Sequence, residues 1–312
     1  MKVLHLEENH PALIEGLNML GMQNDLAYGD ALEDVLAKIG QYDGLIIRSK
    51  YPIDAPFLAH AKKLKFIGRV GAGLENIDVK AVESHNIHLL NAPEGNRNAV
   101  GEHALGMLLA LMNRLKSGHA SIQSGQWDRE GHRGWELSGR TVGIIGYGNT
   151  GKSFAQKISG FNVETLCVDL LDRVGDHNAK QVDLKTLQAR CDVISLHIPQ
   201  TDLTRAMIDK TFIDTMAHPF WLINTARGSA VVTQDLVAGL QSQKIMGAGL
   251  DVLEYETQSF SFIFNQKEIS PALQYLLESP QVLLSPHVAG WTRESHIKLA
   301  TTIVDKVKKL FF

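Results

Sequence analysis

Residues 141–151 read TVGIIGYGNTG, and this stretch limits what the rest of the chain can be. Val142, Gly143, Ile144 and Ile145 have the near-continuous apolar character of a buried parallel strand. Gly146, Gly148 and Gly151 follow at G-x-G-x-x-G spacing and lead into a helix-like pattern. Gly146 suits a tight turn, Gly148 lets backbone approach a pyrophosphate, and Gly151 lets the helix pack on the strand. Asn149 and Thr150 stand between them, where the first helical amides would point at phosphates. The next strand, 163–168, ends at Asp169, about twenty residues on, where a dinucleotide-binding fold needs a carboxylate for ribose hydroxyls. The series strand, glycines, helix, strand, acid predicts a dinucleotide-binding unit. An acid at 169 repels a 2′-phosphate, so the cofactor expected is NAD rather than NADP; Arg173 argues the other way, and a plain capping role for Asp169 stays open.

With 312 residues the chain is long enough for two domains. A formal net charge of −3, with interspersed signs, indicates neither a nucleic-acid patch nor an acidic tail. The longest apolar run, 104–112, is far shorter than a membrane span and reads as a buried helix. Cys167 and Cys191 lie in apolar runs without metal-ligand spacing, so buried free thiols and no metal are expected. The first residues, MKVLHLEENH, lack the pattern of a secretory signal, which predicts a cytoplasmic protein.

From residue 1 to 92 the pattern alternates strand (MKVLHL, GLIIRS, KFIGRVG, IHLLNAP) and helix (11–19, 77–84), ahead of the glycine motif. This predicts a smaller α/β domain over 1–97, completed by a closing helix within 290–312. A long helix is expected at 98–115, and the aperiodic segment 117–139 reads as an arm or loop. Apolar strands at 192–197, 221–224, 246–251 and 282–284 then predict a doubly wound parallel sheet over 98–289, a Rossmann-type domain. Ligands gather at the carboxyl ends of such strands, which carry Asp169, Pro199, Thr225, Ala226, Arg227, Asp251 to Glu256, and His287.

Those residues carry a resemblance. NTARGSAVV, GAGLDVLEYE and SPHVAGWT look like the three signatures of the D-isomer-specific 2-hydroxyacid dehydrogenases, GRTVGIIGYGNTG like their cofactor motif, and LHIPQTDLT like their H-x-P-x-T segment. The resemblance runs along essentially the whole chain and implies a Rossmann-type NAD domain, a flavodoxin-like substrate domain and a homodimer built through the long helix. It also implies roles. His287 would be the general acid/base, a task suited to the side chain that most readily changes charge near neutrality. Glu256 would hold and charge-stabilise that imidazole; counting along the chain leaves Glu254 as an alternative, and the family's spacing from Asp251 selects Glu256. Arg227 would grip the substrate carboxylate with its planar fork. Asp251 would lie near the nicotinamide amide or tune the site, with His197, Pro199, Thr225 and Ala226 as further cofactor contacts. Formate dehydrogenases carry Gln where Glu256 stands, so formate is disfavoured. Thr257 stands where the family often has proline, and the segment to 282 is idiosyncratic.

For the substrate, Ala72 and Gly73 in RVGAGLENID resemble the family's carboxylate-binding loop. Arg48 and Arg69 match positions where phosphoglycerate dehydrogenases carry phosphate-contacting arginines, against a plain reading as solvated strand-end charges. Trp127 and Arg129 resemble a segment that in some relatives reaches a neighbouring subunit's site. The expectation is a short form oxidising 3-phosphoglycerate in serine biosynthesis, without the serine-sensing domain of longer relatives. The alternatives are a reductase for an unphosphorylated keto acid (hydroxypyruvate, glyoxylate or pyruvate), erythronate-4-phosphate oxidation, and an NAD-sensing corepressor-like binding protein.

Overall fold

The computed structural model describes residues 1–256 and 269–312; Thr257 lies outside them. The chain divides into two compact units, Met1–Arg97 with Trp291–Phe312, and Asn98–Gly290.

The first unit holds a five-stranded parallel sheet of β1 (Lys2–His5), β2 (Gln23–Leu26), β3 (Gly44–Ile47), β4 (Phe66–Arg69) and β5 (His88–Asn91). Its order is β2-β1-β3-β4-β5, flavodoxin-like, with the switch point at β1 and β3. Alternate side chains serve opposite faces, as strand geometry requires. Leu4, Leu45, Ile47 and Ile67 pack with Phe57 and Val82 on one side; Val3, Ile46 and Phe66 pack with Leu13, Leu17, Ile303 and Val307 on the other. The helix Arg293–Phe311 therefore belongs to this unit's core, and Thr292 starts it with a capping box. β2 was not anticipated. Its residues QNDL show no apolar alternation, because this edge strand is held by main-chain pairing to β1 and by polar side-chain bonds, Asn24 with His5 and Asn18 and Asp25 with Tyr42.

The second unit is a seven-stranded parallel sheet: β6 (Thr141–Ile145), β7 (Glu164–Val168), β8 (Lys180–Gln181), β9 (Val193–Leu196), β10 (Phe220–Asn224), β11 (Ile245–Leu250) and β12 (Val282–Leu284). The order β12-β11-β10-β9-β6-β7-β8 reverses direction between β6 and β9, as in doubly wound nucleotide-binding sheets. Both faces are covered: Val142, Ile144, Val193 and Ile223 pack with Phe154 and Leu108, whereas Ile145, Ile194, Leu196 and Leu222 pack with Phe212 and Leu240. Cys167 and Cys191 are buried free thiols that burial pushes up to about 11 and about 12.

Two boundaries differ from expectation. The long helix is Pro93–Met112, opening on the proline itself, a residue suited to a first helical position. Arg114, at φ +52°, breaks it, and Leu115–Gln123 forms a second helix where an arm or loop was expected. Among the described residues no helix is long and apolar enough to cross a membrane.

Candidate active site

The cradle at the switch point of the larger sheet starts at Gly146. Its φ of +89° and the approach of His197 O, 2.5 Å from where a Cβ would stand, exclude other residues. Gly151 is pressed as closely on the carbonyl of Gly146, whereas a Cβ at Gly148 would meet nothing within 4 Å. The helix Asn149–Ile158 begins there with Gly148 as a cap that supplies no side-chain acceptor, so its first amides await another partner. Asn149, Thr150 and Gly151 occupy that first turn. Asp169, beyond β7, accepts the amide of Tyr147 at 2.7 Å and that of Leu171 at 3.0 Å, one on each oxygen. No helix starts here for Asp169 to cap; it braces two loop amides, and each oxygen keeps a second lone pair for a ribose hydroxyl. Open space before Gly148, uncapped amides and an acid at the second strand end fit a dinucleotide.

The side chain of His197 is buried. Its imidazole stacks on Phe154 at 5.4 Å, bonds the Ser195 hydroxyl at 2.9 Å and is held neutral by burial, at about 3. The ring belongs to the core, and the carbonyl of this residue lies against the glycine turn. Pro199 is exposed, and its carbonyl accepts the Thr204 hydroxyl at 2.7 Å.

At the end of β10, Asn224 shapes a tight corner. Its side chain accepts the amide of Ala226 and donates to the carbonyl of Arg227, both at 3.0 Å. Thr225 and Ala226 are buried in this corner, and the half-buried Arg227 donates from Nη1 to the carbonyl of Ala226 at 2.6 Å.

The ends of β11 and β12 carry the densest chemistry. His287 Nδ1 lies 2.8 Å from Glu256 Oε2, while Glu256 Oε1 accepts the amide of Leu253 at 2.8 Å. Glu254 instead accepts the amide and hydroxyl of Thr233, so geometry separates the two glutamates. His287 has φ +53°, a left-handed conformation that needs outside support. Asp251 supplies it. This residue is 1% exposed; its carbonyl accepts the His287 amide, Oδ1 accepts the Ser285 hydroxyl and the Val288 amide, and Oδ2 accepts the Ala289 amide. Its carboxylate therefore holds the histidine loop. His103 bonds Ser285 at 2.9 Å and stands 3.7 Å from Asp251. Neither His103 nor Ser285 was anticipated, because no local motif links positions so far apart.

In the smaller unit, Arg48 follows β3 and lays its guanidinium 4.6 Å from the centroid of Trp291. Arg69 ends β4 almost fully buried and folds over Gly71, which removes the plain reading of a solvated charge for this residue. Ala72 and Gly73 are half-buried, and Asn91 donates to the Ala72 carbonyl at 2.8 Å.

Residues 105–289 match the model of the D-isomer specific 2-hydroxyacid dehydrogenase NAD-binding domain. A D-3-phosphoglycerate dehydrogenase of Archaeoglobus fulgidus is 31% identical over 310 residues, 98% of this chain, and the chain spans only 56% of that protein's length. A hydroxypyruvate reductase of Thermotoga maritima is 32% identical over 277 residues, 89% of this chain and 87% of that one. The crystal structure of a D-lactate dehydrogenase from Aquifex aeolicus, complexed with NAD and lactic acid, superposes with a TM-score of 0.82 at 25% identity, covering 99% of this chain and 95% of that one.

Proposed function

The chain belongs to the D-isomer-specific 2-hydroxyacid dehydrogenases, and from that premise we propose that it interconverts a D-2-hydroxy acid and its 2-keto acid with NAD, the pair being 3-phosphoglycerate and 3-phosphohydroxypyruvate. The observation that carries this reading is the 2.8 Å contact of Glu256 with His287 Nδ1 at a strand end. A carboxylate on Nδ1 fixes the tautomer with the proton there, so Nε2 is the atom that accepts the substrate's hydroxyl proton and returns it in the reverse direction. The imidazolium formed is stabilised by the same carboxylate. Arg227 grips the substrate carboxylate through its planar donors. Gly148, Asn149, Thr150 and Gly151 would hold the NAD pyrophosphate and Asp169 a ribose. When bound, NAD supplies the acceptor for the hydride.

Arg48 and the buried Arg69, both at strand ends of the flavodoxin-like sheet, support a phosphorylated substrate, since a dianion suits paired guanidinium groups. A second reading, reduction of unphosphorylated hydroxypyruvate, is favoured by the match to the Thermotoga enzyme over 87% of its length. NADH oxidation with phosphohydroxypyruvate, hydroxypyruvate, pyruvate and glyoxylate in parallel tests both. Preference for the phosphorylated acid upholds the first reading, preference for hydroxypyruvate the second, and silence with all four removes the dehydrogenase reading.

The same reading includes a homodimer through the helix Pro93–Met112. Leu115, Ile122 and Trp127, beyond that helix, are exposed by more than half, as a contact surface would be. Light scattering at micromolar concentration should give twice the chain mass; a monomer overturns it.

A further inference from the structure

The switch point of the smaller sheet places the segment after β1 beside the segment after β3. There Glu7 Oε2 accepts three successive main-chain amides, those of Arg48 at 2.6 Å, Ser49 at 2.8 Å and Lys50 at 3.1 Å. Such a run of amides is a ready anion site, and the chain fills it with its own carboxylate. Lys50 is tied down as well: its ammonium donates to the carbonyls of Tyr28 and Asp30, at 2.7 and 2.9 Å. Arg48 keeps its guanidinium on the face of Trp291. The indole is buttressed by His296 at 5.1 Å, which in turn makes a T-shaped contact with His10 at 5.4 Å. Burial, then His10 and Arg48, lowers the pKa of His296, so the group behind the indole favours its neutral form and does not repel Arg48.

We propose that Glu7 and Trp291 are positioning residues that aim Arg48 at the anionic distal group of the substrate, a phosphate ester on a 2-keto or 2-hydroxy acid. This rests on the phosphorylated-substrate reading above. An arginine loses much rotamer freedom when it grips an anion; here Glu7 fixes its main chain and Trp291 fixes the plane of its fork beforehand. One face of the guanidinium lies on the indole, and its N–H edge is the part suited to phosphate oxygens.

The experiment compares kcat/KM for phosphohydroxypyruvate with that for glyoxylate, which has no distal group, in the full chain and in Glu7→Leu, Glu7→Gln, Trp291→Leu and Arg48→Ala. Glu7→Leu and Trp291→Leu should each lower the ratio about tenfold, the scale of one lost cation–π or charge-assisted contact. The loss should fall on KM for the phosphorylated acid, and Glu7→Gln, which keeps an acceptor oxygen, should restore most of it. A ratio unchanged in both variants while Arg48→Ala lowers it overturns the positioning role alone. Parallel losses with both acids reduce the two residues to scaffolding and overturn it too, as does a higher ratio in Glu7→Leu, which would mean that the carboxylate repels the substrate. If Arg48→Ala itself leaves the ratio unchanged, the phosphate reading beneath the proposal has failed with it.

Discussion

Asp251 and Glu7 both gather main-chain amides at a strand end, and they do so in unlike surroundings. Asp251 is enclosed, divides its oxygens between the amides of Val288 and Ala289, and holds between them and its own carbonyl a histidine at φ +53°. Glu7 is half-buried and puts three amides of one open turn on a single oxygen. What differs is the substitute available when the carboxylate is removed. At the turn of residues 48–50 water can take its place, whereas the buried amide of Ala289 has none. The corner built on Asp251 is therefore a matter of stability and shape, and the corner built on Glu7 a matter of aim.

The largest effect expected bears on what the Asp251 corner presents. His287→Ala should lower kcat by about 10²–10⁴, and Arg227→Ala should act in the same direction, while quenching of tryptophan fluorescence by NAD persists. Turnover near wild type in either variant would leave the corner without a catalytic purpose. Next comes the carboxylate. Asp251→Ala strands two amides and a hydroxyl and should cost about 2–4 kcal/mol in urea unfolding, against less than about 1 kcal/mol for Glu7→Leu. Equal losses would erase the contrast between the corners.

A third carboxylate sharpens the comparison, since Asp169 both holds amides and has lone pairs to spare. Asp169→Ala should weaken NAD about tenfold and narrow the preference over NADP, the scale of one charge-assisted contact. An unchanged cofactor ratio would confine Asp169 to its bonds with Tyr147 and Leu171. The smallest effect is a pH dependence. The unfolded imidazole of His197 takes a proton near 6.5, while burial keeps the folded one neutral to about 3. Protonation thus favours the unfolded chain below 6.5, and stability, complete above that value, should fall by about 1 kcal/mol between pH 7 and 5.5. His5, its pKa lowered by burial, adds in the same direction. His197→Gln should flatten this limb in urea titrations; an unchanged slope would place the acid sensitivity elsewhere.

Much of the fold is legible along the chain. Runs such as VGII and VISL announce buried strands, and Asp54, Asp78, Asp183, Asp209 and Thr292 cap helices by bonding amides three residues on. The strand QNDL and the helix Leu115–Gln123 are not legible, because one is held by main-chain pairing and polar side-chain bonds to distant residues and the other buries none of its residues. In the candidate site, counting along the chain leaves Glu256 and Glu254 open and only the family's spacing from Asp251 selects Glu256, and nothing near Ser285 in sequence suggests His103.

Local order is thus what the residues determine by themselves: the glycine turn, the strand runs, the caps and the residues that end up at strand termini, since each depends on neighbours a few positions away. The partnerships belong to the tertiary structure. Glu256 with His287, Asp251 with Val288 and Glu7 with Arg48 lie 31, 37 and 41 positions apart. They meet because parallel pairing sets the carboxyl ends of neighbouring strands side by side, β11 beside β12 and, with β2 passed over, β1 beside β3, and a carboxylate's partner is whichever segment that pairing sets beside it.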